Sequence, residues 1–241
     1  MTTLAPPATI GERVAALPWP ELQAALDAQG FAQTPAILSA GECRELARLY
    51  EAGRFRRTID MARHGFGEGE YRYFDHPLPE AIAELRVAFY PPLAEAANRW
   101  AEWLGEDVTY PGELETFLER CHAVGQTRPT PLILRYGPGG WNALHQDLYG
   151  EVAFPFQVVT LLDRPGEDFE GGEFVLLEQR PRRQSRAHVQ QLRRGAFLIF
   201  TTRQRPVPGG RGFYRAAMRH GVSTVTAGRR TALGVIFHDA T

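Results

Sequence analysis

The spacing of hydrophobic residues predicts that roughly the first 125 residues are mainly helical. Residues 20–30 (PELQAALDAQG) and 39–53 (SAGECRELARLYEAG) carry apolar side chains at helical intervals. Ser39 and Glu42 have the spacing of a capping box, which predicts that the second helix begins there.

A pair of prolines interrupts the longest helical pattern. Residues 79–105 are helical in pattern on both sides of Pro91-Pro92, and proline inside a helix removes a hydrogen bond and clashes with the preceding turn. We therefore expect two helices or one sharply kinked helix here. Strand-like patches occur only near residues 31–38 and 71–75 in this part of the chain.

From about residue 130 the pattern changes to short β-rich runs separated by Gly- and Pro-containing bends. Helices followed by several short strands are typical of an α+β fold with a β-sandwich or a small barrel. No Ser/Gly-rich linker separates the two parts, so we expect one domain, residues 1–241, with the N-terminal helices packed on the sheet. The runs are TPLILRYG, FPFQVVTLL, GEFVLLEQ, HVQQL, GAFLIFTT, MRHGVSTVT and RTALGVIF.

The composition, with 44% hydrophobic and 23% charged residues, is that of an ordinary globular protein. No apolar run approaches the roughly 20 residues that span a bilayer, and the N-terminal residues lack the basic segment and apolar core of a signal peptide. Two cysteines, Cys43 and Cys121, cannot form a disulfide framework. We expect a cytoplasmic protein with no membrane partner; the sequence specifies no oligomeric state.

The net charge of −1 conceals a strong asymmetry along the chain. Residues 179–241 contain 13 Arg and one acid, Asp239, whereas the preceding residues are net acidic. Every basic residue is Arg, which suits bidentate contacts with carboxylates and phosphates. The two parts either neutralise each other within one fold or present a basic face to an anionic substrate.

The segment ALHQDLYG, residues 143–150, places His145 and Asp147 two residues apart. This pair forms either half of a metal site or the polar edge of a strand. His220 opens a β-rich run 75 residues after His145 and is the candidate for a third ligand. Two imidazoles and one carboxylate form the ligand set of non-haem Fe(II) oxygenases, which leaves positions open for a chelating co-substrate and O₂.

Candidate anion-binding residues lie close to these ligands in the sequence. Arg229 and Arg230 follow His220 by nine and ten residues, and Tyr136 precedes His145 by nine. A buried Arg can hold the distal carboxylate of a keto diacid through two charge-assisted hydrogen bonds, and the Tyr136 hydroxyl can donate to the same carboxylate.

The segments RYGPGGWNALHQD, EGGEF, RRGAFLIF and HGVSTVTAGRRTALGVIF resemble, in this order, strands of the Fe(II)- and 2-oxoglutarate-dependent dioxygenases. The resemblance implies a double-stranded β-helix (a jelly roll, or cupin-like fold) over residues 130–238. The stretch from MARHGFGEGEYRYFDHPLPE to NRWAEWLG, together with the ending GVIFHDA, resembles the bacterial Oxygenase-NA family, whose members are predicted to demethylate alkylated bases oxidatively.

By this resemblance His145, Asp147 and His220 hold Fe(II), with 2-oxoglutarate and O₂ as co-substrates and ascorbate as a supporting reductant. The Arg that anchors 2-oxoglutarate in many relatives lies ten residues after the His, which favours Arg230; an offset of nine in other relatives selects Arg229. Neighbouring strand residues face opposite sides, so only one of the two points into the barrel.

The substrate is less clearly specified than the chemistry. Trp141 and Asn142 precede the metal-binding segment, and Tyr71 and Tyr73 belong to an aromatic-basic cluster that can stack a flat substrate or form an ordinary half-buried strand. The resemblance implies C–H hydroxylation with release of succinate and CO₂, and demethylation when the target is an N-methyl group of a nucleic-acid base. The alternatives are a prolyl-type hydroxylase of proteins or amino acids and a jelly-roll binding module without catalysis.

Overall fold

The computed structural model describes residues 8–147 and 150–241. Five α-helices occur in this part of the chain, all of them before residue 125. They are α1 (Ile10–Ala15), α2 (Trp19–Gln29), α3 (Ala40–Ala52), α4 (Glu80–Leu104) and α5 (Leu114–Ala123). The capping box of Ser39 and Glu42 is present at the start of α3, as predicted.

The strands form two main antiparallel sheets and one small ribbon. The larger sheet has seven strands in the order β1-β11-β7-β15-β5-β4-β2, and the smaller has the order β10-β9-β13-β6-β3 with β12 paired to β13. The strands are β1 (Phe31–Ala36), β2 (Phe55–Asp60), β3 (Gly67–Glu68), β4 (Glu70–Phe74), β5 (Leu132–Tyr136), β6 (Trp141–His145), β7 (Phe156–Leu161), β8 (Phe169–Gly171), β9 (Phe174–Gln179), β10 (Arg186–Gln190), β11 (Ala196–Thr201), β12 (Gln204–Gly209), β13 (Gly212–Val222), β14 (Val225–Gly228) and β15 (Arg230–Ile236).

The larger sheet separates two hydrophobic clusters, as alternation of side chains along its strands requires. On β15, Leu233 and Val235 face the helices and join a cluster with the buried residues of α4. Ala232 and Ile236, on the other face, line a cavity between the two sheets. The predicted α+β double-stranded β-helix with N-terminal helices packed on its sheet is therefore confirmed.

The prediction of a helix break at Pro91-Pro92 is wrong in its two-helix form. Helix α4 runs continuously through both prolines. Because proline has no backbone N–H, neither of them donates a hydrogen bond within the helix. Tyr90 and Leu93, on either side, are fully buried in the core between helix and sheet. Because both halves pack on the same surface, tertiary burial offsets the lost hydrogen bonds.

The first 125 residues also contain more β-structure than their pattern predicted. The expected patches became β1 and β4, but β2, in the charged segment FRRTID, forms an additional edge strand of the larger sheet. None of the helices in the described part of the chain combines the length and apolar character needed to cross a bilayer.

Candidate metal centre and its cavity

Two neighbouring strands of the smaller sheet bring the predicted metal ligands together. His145 is the last residue of β6 and pairs directly with His220 of β13, and Asp147 follows two residues later. One Asp147 carboxylate oxygen lies 3.6 Å from His145 Nε2, and the other lies 3.3 Å from His220 Nε2. One potential ligand atom from each residue lies within 4.8 Å of the others.

The ring of His145 is oriented by its own strand. Its Nδ1 atom lies 2.7 Å from the carbonyl oxygen of Ala143, which can only accept a hydrogen bond. Nδ1 therefore carries the proton, and Nε2 directs a lone pair toward Asp147. Burial, and then the nearby His220, lower the pKa of His145, which favours the neutral imidazole that a metal ion requires.

Two phenylalanines pack on the ring of His220. Phe174 stacks on it with ring centroids 5.8 Å apart, and Phe200 meets it edge-on at 4.8 Å. Its Nδ1 atom is buried and has no hydrogen-bond partner among the described residues. The two histidines are therefore positioned by different means, one by a backbone carbonyl and one by two phenylalanines.

Gln157 of β7 is a site residue that the sequence analysis did not identify. Its side-chain amide nitrogen lies 2.5 Å from Oδ2 of Asp147 and 3.4 Å from Nε2 of His220. Gln157 is buried in a strand whose other residues are almost all apolar. A lone amide in such a strand must find a polar partner inside the protein, and that anomaly is the signal by which the sequence could have revealed it.

Arg230 and Tyr136 form a second polar group in the same cavity. They are directly paired across β15 and β5, and both side chains are fully buried. Nε of Arg230 donates to the carbonyl oxygen of Gly172 at 2.8 Å, and no described residue accepts a hydrogen bond from its two terminal nitrogens. The Tyr136 hydroxyl is also buried and has no hydrogen bond of normal geometry with the described residues, although the side chain of Asn142 lies near enough to lower its pKa.

Arg230 and Tyr136 together have the charge and hydrogen-bond donors of an anion-binding site. Burial lowers the pKa of Arg230 and raises the pKa of Tyr136 to about 12, so at neutral pH the first is a cation and the second a hydroxyl donor. A buried cation without a paired anion is costly. A carboxylate placed between the two would satisfy both.

The remaining predicted residues divide between the cavity and the surface. Asn142, Tyr71 and Tyr73 line the cavity. Trp141 is 41% exposed and does not line it. Arg229, just before β15, is exposed and likewise lies outside the lining, whereas Arg230 is buried in it.

The cavity has a volume of about 240 Å³ and contains the three candidate ligands as well as Arg230 and Tyr136. Apart from these groups its wall is mostly apolar and aromatic. The wall includes Phe66, Leu132, Leu134, Val159, Phe174, Phe200, Val222, Ala232 and Ile236. Ala232 stands two residues after Arg230 on the same face of β15 and provides no hydroxyl group to the wall.

The three ligands fit an Fe(II) ion by their chemistry and by their placement. The set has two imidazole nitrogens, one of them with a defined tautomer, and a carboxylate whose second oxygen already has a hydrogen-bond donor. All three line the same cavity, and a set of three protein ligands leaves other coordination positions of an Fe(II) ion open. Such second hydrogen bonds are usual for the ligands of real metal sites.

Solved structures show that the fold is shared with known oxygenases. A prolyl-4-hydroxylase of Pseudomonas putida is similar over 92% of this chain and 100% of its own, with a TM-score of 0.56 and 17% identity. A 2OG-Fe(II) oxygenase family oxidoreductase of Burkholderia pseudomallei is similar over 90% of this chain and 88% of its own, with a TM-score of 0.52 and 19% identity. At these identities the likeness establishes the fold.

Fold and ligand set together define an Fe(II)- and 2-oxoglutarate-dependent oxygenase. Residues 69–240 match the model of a family described as "Oxygenase, catalysing oxidative methylation of damaged DNA", and the chain belongs to this family, Oxygenase-NA. The uncharacterized protein Rv2227 of Mycobacterium tuberculosis H37Rv is 48% identical over 194 residues, which are 79% of this chain and 83% of the relative. The predicted superfamily, enzyme class and cofactors are thus confirmed.

Proposed function

We propose that this enzyme removes N-methyl groups from alkylated bases in DNA. In this proposal His145, Asp147 and His220 hold Fe(II), and Arg230 with Tyr136 holds the distal carboxylate of 2-oxoglutarate. The observation that carries the proposal is the buried Arg230, whose terminal nitrogens donate to no described residue, beside the buried hydroxyl of Tyr136 in the same cavity as the ligand set. A dicarboxylate that reaches both a metal ion and an Arg meets both requirements.

Iron bound here with 2-oxoglutarate and O₂ supplies the oxidation of a substrate C–H bond, with release of succinate and CO₂. The chain's own residues orient the reactants. The carbonyl of Ala143 and the amide of Gln157 fix His145 and Asp147. The apolar wall excludes bulk water, which strengthens the charge-assisted bonds of Arg230.

Hydroxylation of an N-methyl group gives a product that collapses to formaldehyde and the free amine, so oxidative attack on a methylated base removes the methyl group. The family description names damaged DNA. Tyr71 and Tyr73, whose rings meet edge to face with centroids 5.4 Å apart, form an aromatic wall suited to a base turned out of its stack. We further propose a cytoplasmic location, which is supported by two buried free thiols, Cys43 and Cys121.

Hydroxylation of a prolyl side chain is the alternative substrate class. It is supported only by the names of structural neighbours at 14–17% identity, including a prolyl hydroxylase of Trichoplax adhaerens in complex with a peptide fragment. The experiment that separates the classes compares a 1-methyladenine or 3-methylcytosine oligonucleotide with a proline-containing peptide.

The assay measures succinate from 2-oxoglutarate in the presence of Fe(II) and ascorbate, first without substrate and then with each candidate. We expect slow succinate formation by the wild type and none by His145→Ala. We expect formaldehyde in proportion to succinate with a methylated oligonucleotide. Succinate coupled to hydroxyproline would replace the proposed substrate, and the complete absence of succinate would support the binding-module alternative.

A further inference from the structure

The edge strand β2 places cations beside the aromatic wall of the cavity. The guanidinium of Arg56 lies 4.5 Å from the ring centroid of Tyr73, which lines the cavity. Nε of Arg56 donates to the carbonyl oxygen of Pro129 at 2.7 Å, which fixes the side chain over the ring. Arg57 is paired directly with Tyr73 across β2 and β4.

Arg57 and Arg128 extend this cationic edge. Both side chains are exposed, and among the described residues neither has an ion-pair partner. Both lie close enough to Arg56 to lower its pKa, although burial of Arg56 is the larger cause. By contrast, Arg54, just before β2, is paired with Asp75 at 3.2 Å. Arg56 is partly compensated by the nearby carboxylate of Asp239, whereas Arg57 and Arg128 remain exposed cations without an ion pair in the described part of the chain.

We propose that Arg56, Arg57 and Arg128, which we call the β2 rim, bind backbone phosphates of a single-stranded nucleic acid whose modified base enters the cavity beside Tyr73. This inference rests on the proposed function. Guanidinium groups match phosphate oxygens in bidentate geometry, and alternating cations and aromatic rings are the usual surface for single strands. An acidic peptide would offer carboxylates to the same cations but no flat base for the aromatic wall.

The Arg-rich loop between β9 and β10 is a less suitable site, despite its charge. None of its residues lines the cavity, and Arg180 at its start is paired with Glu178. Strand β10 also forms the edge of the smaller sheet opposite β3. The excess of Arg in residues 179–241 thus does not by itself identify the face of the protein that binds substrate. The β2 rim lies in the part of the chain that is net acidic.

The test uses the full chain and two double variants with identical changes in net charge. Arg57→Glu with Arg128→Glu alters the β2 rim, and Arg183→Glu with Arg186→Glu alters exposed positions of the β9–β10 hairpin. Binding of a fluorescent single-stranded DNA containing 1-methyladenine is measured by anisotropy between 50 and 300 mM salt. RNA of the same length and polyglutamate serve as competitors.

We expect the rim variant to lose roughly 10–100-fold in affinity and to show a salt dependence weaker by about two phosphate contacts, while the hairpin variant stays within about threefold of the wild type. Equal losses in both variants, no loss in the rim variant, or competition by polyglutamate as strong as that by DNA would each overturn the proposal.

Succinate formation measured without DNA distinguishes a failure of the β2 rim proposal from a failure of the proposed reaction. Since the rim does not contact Arg230 or the ligand set, we expect the rim variant to form succinate at the wild-type rate when no DNA is present. If the wild type forms succinate but does not bind DNA, the proposal for the β2 rim is wrong and the oxygenase reaction stands. Rim-dependent DNA binding without succinate would uphold the rim and overturn the proposed reaction.

Discussion

The amide nitrogen of Gln157 donates to Oδ2 of Asp147 across 2.5 Å inside the protein. This bond restrains the carboxylate group that we propose as a metal ligand. Gln157→Leu should therefore weaken binding of Mn(II) or Co(II) about 10–100-fold, as measured by isothermal titration calorimetry and by the visible spectrum of the Co(II) form. Thr160→Val, a change of another buried polar residue on β7, should leave metal affinity unchanged; a similar loss in both variants would contradict the assignment.

Gly172 lies against the anchor residue of the proposed co-substrate site. A methyl group added at Gly172 would lie 2.8 Å from Cδ of Arg230 and 2.8 Å from Cγ2 of Val225, and its φ of +65° disfavours any other residue. Gly172→Ala should displace Arg230 and weaken 2-oxoglutarate binding to the Mn(II) form at least tenfold. Gly166→Ala carries similar backbone strain, with φ +78°, but its added methyl group has no atom within 4 Å. The affinity of this variant for 2-oxoglutarate should be unchanged.

Tyr136→Phe removes a buried hydroxyl that has no hydrogen-bond partner among the described residues. We expect the free energy of unfolding to stay constant or to rise by up to about 1 kcal/mol, because an unsatisfied polar group is lost. We expect 2-oxoglutarate affinity to fall about three- to tenfold, the value of one hydrogen bond. Tyr90→Phe is the matched control, since its hydroxyl is also buried and unpartnered but lies away from the cavity. Equal affinity in all three proteins would exclude Tyr136 as a ligand-binding residue.

The pair of Glu42 and Arg13 should make stability depend on pH at the N-terminal helices. Arg13 lowers the pKa of Glu42 from 4.5 to about 2. A lowered folded-state pKa stabilises the protein above the unfolded pKa, and this stabilisation disappears as pH falls from about 4.5 toward 2. Both side chains are about a quarter exposed, so we discount the contribution to about 1–2 kcal/mol.

Glu42→Gln keeps the capping residue but removes the charge. Its free energy of unfolding in urea should be lower than that of the wild type by this amount at pH 7 and nearly equal to it at pH 2. Glu45→Gln, an exposed position on the same helix, should follow the wild-type curve. A pH-independent difference between Glu42→Gln and the wild type would show that the ion pair is not its cause.

Local patterns in the sequence were sufficient to predict that His145, Asp147 and His220 lie together. The strand of His220 was not predicted correctly, because His220 was expected to open a β-rich run and instead lies near the end of β13 (Gly212–Val222). The choice between Arg229 and Arg230 needed the structure, since sequence determines that the two face opposite ways but not which faces inward. Their roles toward 2-oxoglutarate stay predictions for binding experiments.

Features that depend on packing between distant segments were not predicted. The continuity of α4 through Pro91-Pro92 depends on burial of both halves against the sheet. Strand β2 has no alternating pattern, because its charged residues lie at an edge and at a bulge near Phe55. Trp141 was a candidate pocket residue from its position in the sequence, but its neighbour Asn142 lines the cavity and Trp141 is exposed outside it.

The proposed co-substrate residues and the aromatic wall of the cavity belong to different strands. Arg230 and Tyr136 come from β15 and β5, whereas Tyr71 and Tyr73 come from β4, next to the sheet edge. The proposed function therefore predicts that substitutions at Tyr73 and on β2 change which molecule is oxidised more than they change the binding of 2-oxoglutarate. On this proposal the outer edge of the larger sheet is the place to vary substrate choice in directed evolution, whereas Tyr71, which lies close enough to Tyr136 to affect its pKa, is kept.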